Sequence, residues 1–338
     1  MYSAPQLYPY YRDLQELDIY NCSRVMPPGE WWTQTRGSPN PLFGTFCVAS
    51  GLLCEILYIP CMIAMYRELK YSCYKIMFYL GVVDTIANLN IAVMFGYQYA
   101  EGSVYCSSPY TNQVIGMVGL CLWTTACLSC LILVLNRCLD VFQVGSSIFK
   151  GNRTWAILVL PTIYGLFFML FTPPPLFNST LRAFFFDPII DLDDKYTYYN
   201  VSHTVNNFIT VIMSCGFYFA LCGYLAKSQK SGRYIPNKPV FIQSTVICVF
   251  NFIAAMVYVF MNFIKLPQFV VLAGQISFQL SHGAPPFLYL FLNRTMRRNV
   301  LRLFGLQNSR LYHMNSNNCL PASSSNAQQS EPPGKETK

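Results

Sequence analysis

The residues of this chain most able to do chemistry sit where charge is costly. Glu55 lies midway along one apolar run, and Asp84 and Asn88 lie in the next. A spacing of four sets Asp84 and Asn88 one turn apart on one helix face. Two readings stay open for these three. They form a hydrogen-bonded cluster that fixes packing, or a polar switch whose charge or ion occupancy changes with conformation. His282, near Gln275, Gln279 and Ser281, is either a packing histidine or, with Gln279, part of a ligand-cavity wall. Arg137, in Asn136-Arg137-Cys138, closes a third run, where a snorkelling anchor is the plain alternative to a signalling role. Pro286 and Tyr289 set a proline kink with a tyrosine one turn later, which packing alone would also explain.

Metal and nucleophile chemistry have little to work with. The three histidines, His203, His282 and His313, are scattered, and no C-x-x-C pair has a histidine nearby. A zinc site is therefore not expected, and neither are catalytic residues or cofactors.

The elements that must position these groups follow from composition. Hydrophobic residues make up 53% of the 338, aromatic residues 16% and charged residues 11%, and the mean hydropathy is +0.32. Soluble proteins carry roughly a quarter charged residues, so this apolar surface needs a bilayer. Seven segments approach the roughly 20 residues that cross one: 41–65, 76–97, 113–142, 155–172, 208–226, 240–264 and 269–293. None alternates with period two, which argues against a barrel. Helices satisfy their own backbone in lipid, and neighbours compensate kinks at Pro60, Pro161, Pro285 and Pro286. The expected fold is an all-α membrane protein, a seven-transmembrane helix bundle with a short amphipathic helix after the seventh span.

Lysine and arginine set the orientation. With the N-terminus outside, seventeen of the 23 basic residues fall inside, and Asp187, Asp191, Asp193 and Asp194 share one external loop. The net charge of +8 thus divides across a membrane, and no basic face is gathered for nucleic acid. Residues 1–40 are an external segment without a signal-peptide pattern, so the first span is expected to act as a signal anchor. Residues 41–293 form the bundle. Residues 294–306, with Arg294, Arg297, Arg298 and Arg302 among apolar positions, read as a basic helix on inner-leaflet lipid. The polar residues 307–338 read as a disordered cytoplasmic tail.

This orientation sorts the remaining motifs. Among five N-x-[ST] patterns, Asn21, Asn178 and Asn200 fall outside and are candidate glycosylation sites, whereas Asn152 and Asn293 fall inside. Most of the 14 cysteines lie in spans, where cysteine packs as a small hydrophobe. Cys22 and Cys106 face the oxidising side, so a disulfide is expected to tie the N-terminal segment to the start of the third span.

The seven spans, Asn136-Arg137-Cys138, Pro286-x-x-Tyr289 and the basic helix resemble a G-protein-coupled receptor, and Leu80-Gly81-Val82-Val83-Asp84 looks like the Leu-x-x-x-Asp of its rhodopsin-like class. More closely, the chain is similar to the nematode chemosensory receptors called serpentine receptor class T. That resemblance rests on Tyr20-Asn21-Cys22-Ser23, on Glu55-Ile56-Leu57-Tyr58-Ile59-Pro60-Cys61, and on Tyr79 through Asp84, and covers roughly residues 18–306.

The resemblance implies a plasma-membrane, multi-pass sensor of external chemicals, with sensory cilia as a candidate location. It implies a small-molecule ligand, a heterotrimeric G protein and membrane lipids as partners, with Arg137 as the hinge of activation. The chain also departs from the wider receptor pattern. Asn136 stands where an acidic partner of Arg137 is usual, and the loop before the fifth span has no cysteine. The sixth span has Phe250-Asn251-Phe252 in place of Cys-Trp-x-Pro. Ala126 and Pro285 replace a usual serine and asparagine, which argues against a sodium pocket at Asp84. The competing reading is a transporter or channel, which would need a midplane site flanked by broken helices. An enzyme lacks the residues it would need.

Overall fold

The structure is a computed structural model that describes residues 2–142, 144–145, 147–189, 196–230 and 238–306. The proposed tail, the loop acids Asp191, Asp193 and Asp194, and Arg233 lie outside the described residues.

After the short helix α1 (Glu30–Arg36), Asn40 caps α2 (Pro41–Tyr66) by accepting the Phe43 N–H at 3.0 Å, with Pro41 in the first turn. An amide oxygen takes an otherwise unpaired N–H there, and proline loses nothing by lacking one. Helix α3 (Ser72–Asn88) passes through a π-helical stretch, Leu89–Met94, into α4 (Phe95–Glu101). The long α5 (Pro109–Phe142) packs against α3, against α6 (Arg153–Phe171) and against α7 (Val201–Lys230). Then come α8 (Lys238–Phe260), α9 (Gln268–Gly283), α10 (Pro285–Leu292) and α11 (Arg294–Leu303).

Five helical stretches are long and apolar enough to cross a membrane: Pro41–Tyr66, Ser72–Glu101, Pro109–Phe142, Arg153–Phe171 and Val201–Leu221. The apolar part of α8, Thr245–Phe260, is shorter. The expected seventh span is divided, because Pro285 and Pro286 lack the N–H groups that would continue α9. Leu42, Phe46, Ile56 and Ile59 project from α2, and Val159, Leu160 and Ile163 from α6. Surfaces so large and apolar need lipid. Where α2 meets α4, a Cβ on Gly44 would lie 2.4 Å from the Gly96 carbonyl, and one on Gly96 would lie 2.6 Å from that of Gly44. Only glycine lets these backbones approach so closely.

One end of the bundle carries a folded cap. The strands β1 (Tyr2–Ser3) and β4 (Tyr196–Thr197) pair in parallel, and β2 (Leu176–Asn178) and β3 (Ala183–Phe185) form an antiparallel hairpin. Short 3-10 turns follow at Leu14–Glu16, Asp18–Tyr20 and Cys22–Arg24. Their buried Tyr10, Leu14 and Tyr20 pack with Trp32, Tyr105, Phe186 and Tyr198. Burial pushes the phenols of Tyr10, Tyr20 and Tyr105 up from the usual tyrosine range. The Gln113 amide on α5 donates to the carbonyls of Tyr10 (2.7 Å) and Arg12 (2.5 Å) and accepts the Leu14 N–H (3.2 Å). The main chain of Tyr8 and Tyr10 also donates to the last carbonyls of α6. The expected Cys22–Cys106 disulfide is present, with Cα atoms 5.8 Å apart. The N-terminal segment is therefore a roof held at several points.

Candidate functional site

Beneath the hairpin lies a cavity of about 40 Å³, counted as space open to the centre of a water molecule. Asn90 of the π-helical stretch, Gly116, Gly119 and Trp123 of α5, His203 of α7, Tyr258 of α8 and Phe278 of α9 face it. Phe184, Phe186 and Pro175 form its ceiling. A Cβ on Gly116 would lie 1.9 Å from the Pro175 carbonyl, so the small residue lets the ceiling sit directly on α5. The Tyr258 hydroxyl donates to the Gln275 side-chain oxygen, tying α8 to α9.

A polar layer adjoins this cavity on α7. The Trp123 indole N–H donates to Asn207 Oδ1 at 2.9 Å, and Asn206 Nδ2 donates to the same oxygen at 3.0 Å. Asn207 Nδ2 reaches His203 Nε2 at 3.2 Å, and the Tyr164 hydroxyl meets Asn206 Oδ1 at 3.1 Å. His203 precedes the expected fifth span, 208–226, and is buried in the first turn of α7. The spacing of His203, Asn206 and Asn207, three and four apart, puts them on one helix face, which was the available signal.

Phe278 and Trp123 meet edge to face with centroids 5.1 Å apart, and both rings abut His282, at 5.5 and 6.3 Å. Below them His282 Nδ1 lies 2.8 Å from Asp84 Oδ1, and both side chains are almost wholly buried. The Tyr58 hydroxyl is 2.7 Å from the His282 carbonyl and 3.2 Å from Asp84 Oδ2. Asp84 therefore joins α2, α3 and α9.

The three polar-switch candidates divide into two sets. Asn88 donates to Glu55 Oε1 at 2.7 Å and to the Gly51 carbonyl at 2.9 Å, while Asp84 pairs with His282. His282 and Gln279 are not among the residues that face this cavity. His282 Nδ1 is engaged by Asp84, and Gln279 donates to Ser50 on α2 at 3.1 Å. Both sit below or beside the cavity because helical rotation turns Phe278 toward it instead.

At the opposite end of the bundle, Asn136 donates to Ser72 at 3.2 Å, and Arg137 Nη2 lies 3.8 Å from Met77 Sδ. Tyr74, Asp140 and Tyr289 are the electrostatic neighbours of the Arg137 guanidinium. Asp140 follows Arg137 by three residues, within reach on one helix face. It supplies the acid that the Asn136 position lacks. Tyr289 is buried with Cys61, Met65, Met77 and, from α11, Met296 and Val300. The Pro286 carbonyl faces the Cys61 thiol at 3.9 Å, and Asn293 caps α11 through the N–H groups of Thr295 and Met296.

The sequon asparagines differ in setting. Asn21 is half-buried and accepts the Ser23 N–H, and Asn178 is half-buried in β2. Asn200 is fully buried, and its Nδ2 donates to Thr172 (3.0 Å) and to the Pro173 carbonyl (2.9 Å). A glycan on that nitrogen is incompatible with this packing, so Asn200 reads as a structural cap of α7.

The family model described as "Serpentine type 7TM GPCR chemoreceptor Srt" matches residues 7–313. "Serpentine receptor class T-55" of Caenorhabditis elegans is 25% identical over 295 residues, which cover 84% of this chain and 80% of that protein.

Proposed function

The chain belongs to the serpentine type 7TM GPCR chemoreceptor Srt family, and from that premise we propose a chemosensory receptor of the plasma membrane that couples an external small molecule to a heterotrimeric G protein. It crosses the membrane seven times. The sixth crossing uses α8 and the seventh the broken pair α9–α10, with the N-terminal cap outside and α11 on the inner leaflet. The excess of lysine and arginine in the segments assigned to the inside supports that orientation.

One observation carries the mechanism. The aromatic side chains that floor the cavity, Phe278 and Trp123, touch His282, which is bonded to Asp84. A ligand that contacts these rings differently in two arrangements shifts the population between them. The movable element is α9–α10, hinged at the proline pair, which carries Phe278 and His282 on one side and Tyr289 on the other. Motion of Tyr289 alters the surroundings of Arg137, whose guanidinium then meets the G protein. Lys227, near the end of α7 assigned to the inside, adds positive charge on that side.

The test is a G-protein reporter in cells that express the full chain, with surface labelling as control. Arg137→Ala is expected to abolish ligand-dependent signal while leaving the receptor at the surface; full signalling would refute the role given to Arg137. The transporter reading is not favoured by the family.

A further inference from the structure

Two residues that line the cavity, His203 and Asn90, each hold a buried polar atom without a partner, and the identities of those atoms limit what binds beside them. Trp123 has only a donor to offer, so its bond fixes which end of the Asn207 amide is oxygen. Asn207 must then present its NH₂ to His203 Nε2, which accepts. An imidazole that accepts at Nε2 is neutral and carries its proton on Nδ1. That Nδ1–H has no acceptor, although His203 is only 6% exposed. Across the same cavity, Asn90 donates to the Ile115 carbonyl at 3.2 Å, and its Oδ1 has no donor while the residue is 8% exposed.

One orphan is a donor and the other an acceptor. A cavity that holds a water needs about 10–15 Å³ by this measure, so 40 Å³ takes a few small groups, and one group that serves both orphans leaves the remaining space to an apolar chain. A hydroxyl supplies both in the smallest form, since its oxygen accepts and its proton donates. No Asp, Glu, Lys or Arg lines the cavity among the described residues, so an ionic ligand would be desolvated without a counter-charge. The rest of the wall is aromatic and aliphatic. We propose that this cavity binds small, uncharged, mostly apolar alcohols, whose hydroxyl accepts from His203 Nδ1–H and donates to Asn90 Oδ1. The proposal rests on the receptor reading only in taking this cavity as the ligand site.

Trp123 lines the cavity, so tryptophan emission reports occupancy without a G protein. The full chain in phosphatidylcholine nanodiscs is titrated with 1-pentanol, pentane, pentanoate and pentylammonium. Saturable change with 1-pentanol is expected at concentrations at least about tenfold below pentane, with none from the two ions. His203→Phe and Asn90→Leu are each expected to weaken 1-pentanol about tenfold and leave pentane unchanged, which shows that the cavity is intact. Equal binding of pentane and 1-pentanol overturns the proposal, since water alone then serves the two orphans. Saturable binding of either ion, or variants that weaken pentane and 1-pentanol alike, also overturns it. Saturable alcohol binding upholds the site whether or not the G-protein reporter responds to alcohols, and failure of the reporter with every cue bears on the receptor reading alone.

Discussion

The Asp84–His282 pair illustrates what one residue costs and what its partner repays. A buried pair stripped of one member leaves the other unsatisfied, typically at about 3–5 kcal/mol, whereas apolar replacement of both is often near neutral. Asp84→Leu and His282→Leu should each lower the thermal stability of the purified receptor sharply. The double variant should recover most of that loss in a thermal-unfolding assay. Asp140 gives a second expectation at this scale. If its attraction for Arg137 holds the resting state, Asp140→Asn should raise ligand-independent reporter signal several-fold at equal surface expression. The sequence showed which groups were expensive, because Asp84 and Glu55 interrupt apolar runs. It could not show that His282 would meet Asp84 from 198 positions away, because that contact depends on how three helices rotate. The part of Asp140 was not legible because an acid three residues after Arg137 reaches it only in the helical geometry of α5.

Among elements, the long apolar helices were legible because lipid demands a continuous run of apolar side chains, and the break in the last one because paired prolines cannot extend a helix. The hairpin over the cavity was not legible: three-residue strands leave no period to read, and the register of β2 on β3 is fixed by packing on Phe95 and Tyr99. The cap gives a pH expectation. Tyr10, Tyr20 and Tyr105 have folded-state values raised by burial, so the neutral phenol is the form that folding favours. Their contribution is fully present below the ordinary tyrosine value of about 10 and is lost as pH rises above it. Limited proteolysis of residues 2–40 should therefore accelerate in alkali, with the disulfide intact, before the bundle itself unfolds. No alkaline change in cleavage would mean that the phenols are solvated.

At the scale of the whole molecule, charge sorting and sequon position test each other. Loss of glycan is expected when Asn21 or Asn178 is changed to Gln, with no mobility shift for Asn152→Gln, Asn293→Gln or Asn200→Gln on gel electrophoresis. Glycan at Asn152 or Asn293 would invert the proposed orientation. Glycan at Asn200 would contradict the burial of its amide. Spacing alone marked all three external asparagines equally, and only the packing of α7 separates Asn200 from the other two.

The grip of Gln113 on the main chain at Tyr10, Arg12 and Leu14, together with the Cys22–Cys106 link, has a consequence for time. Phe186 of the cavity's ceiling packs in the same cluster as Tyr10, Leu14 and Tyr20, so the ceiling shifts only where that anchored segment yields, and closing motions of this kind commonly take microseconds to milliseconds. A ceiling held in this way rearranges slowly, which lengthens the stay of whatever lies beneath it.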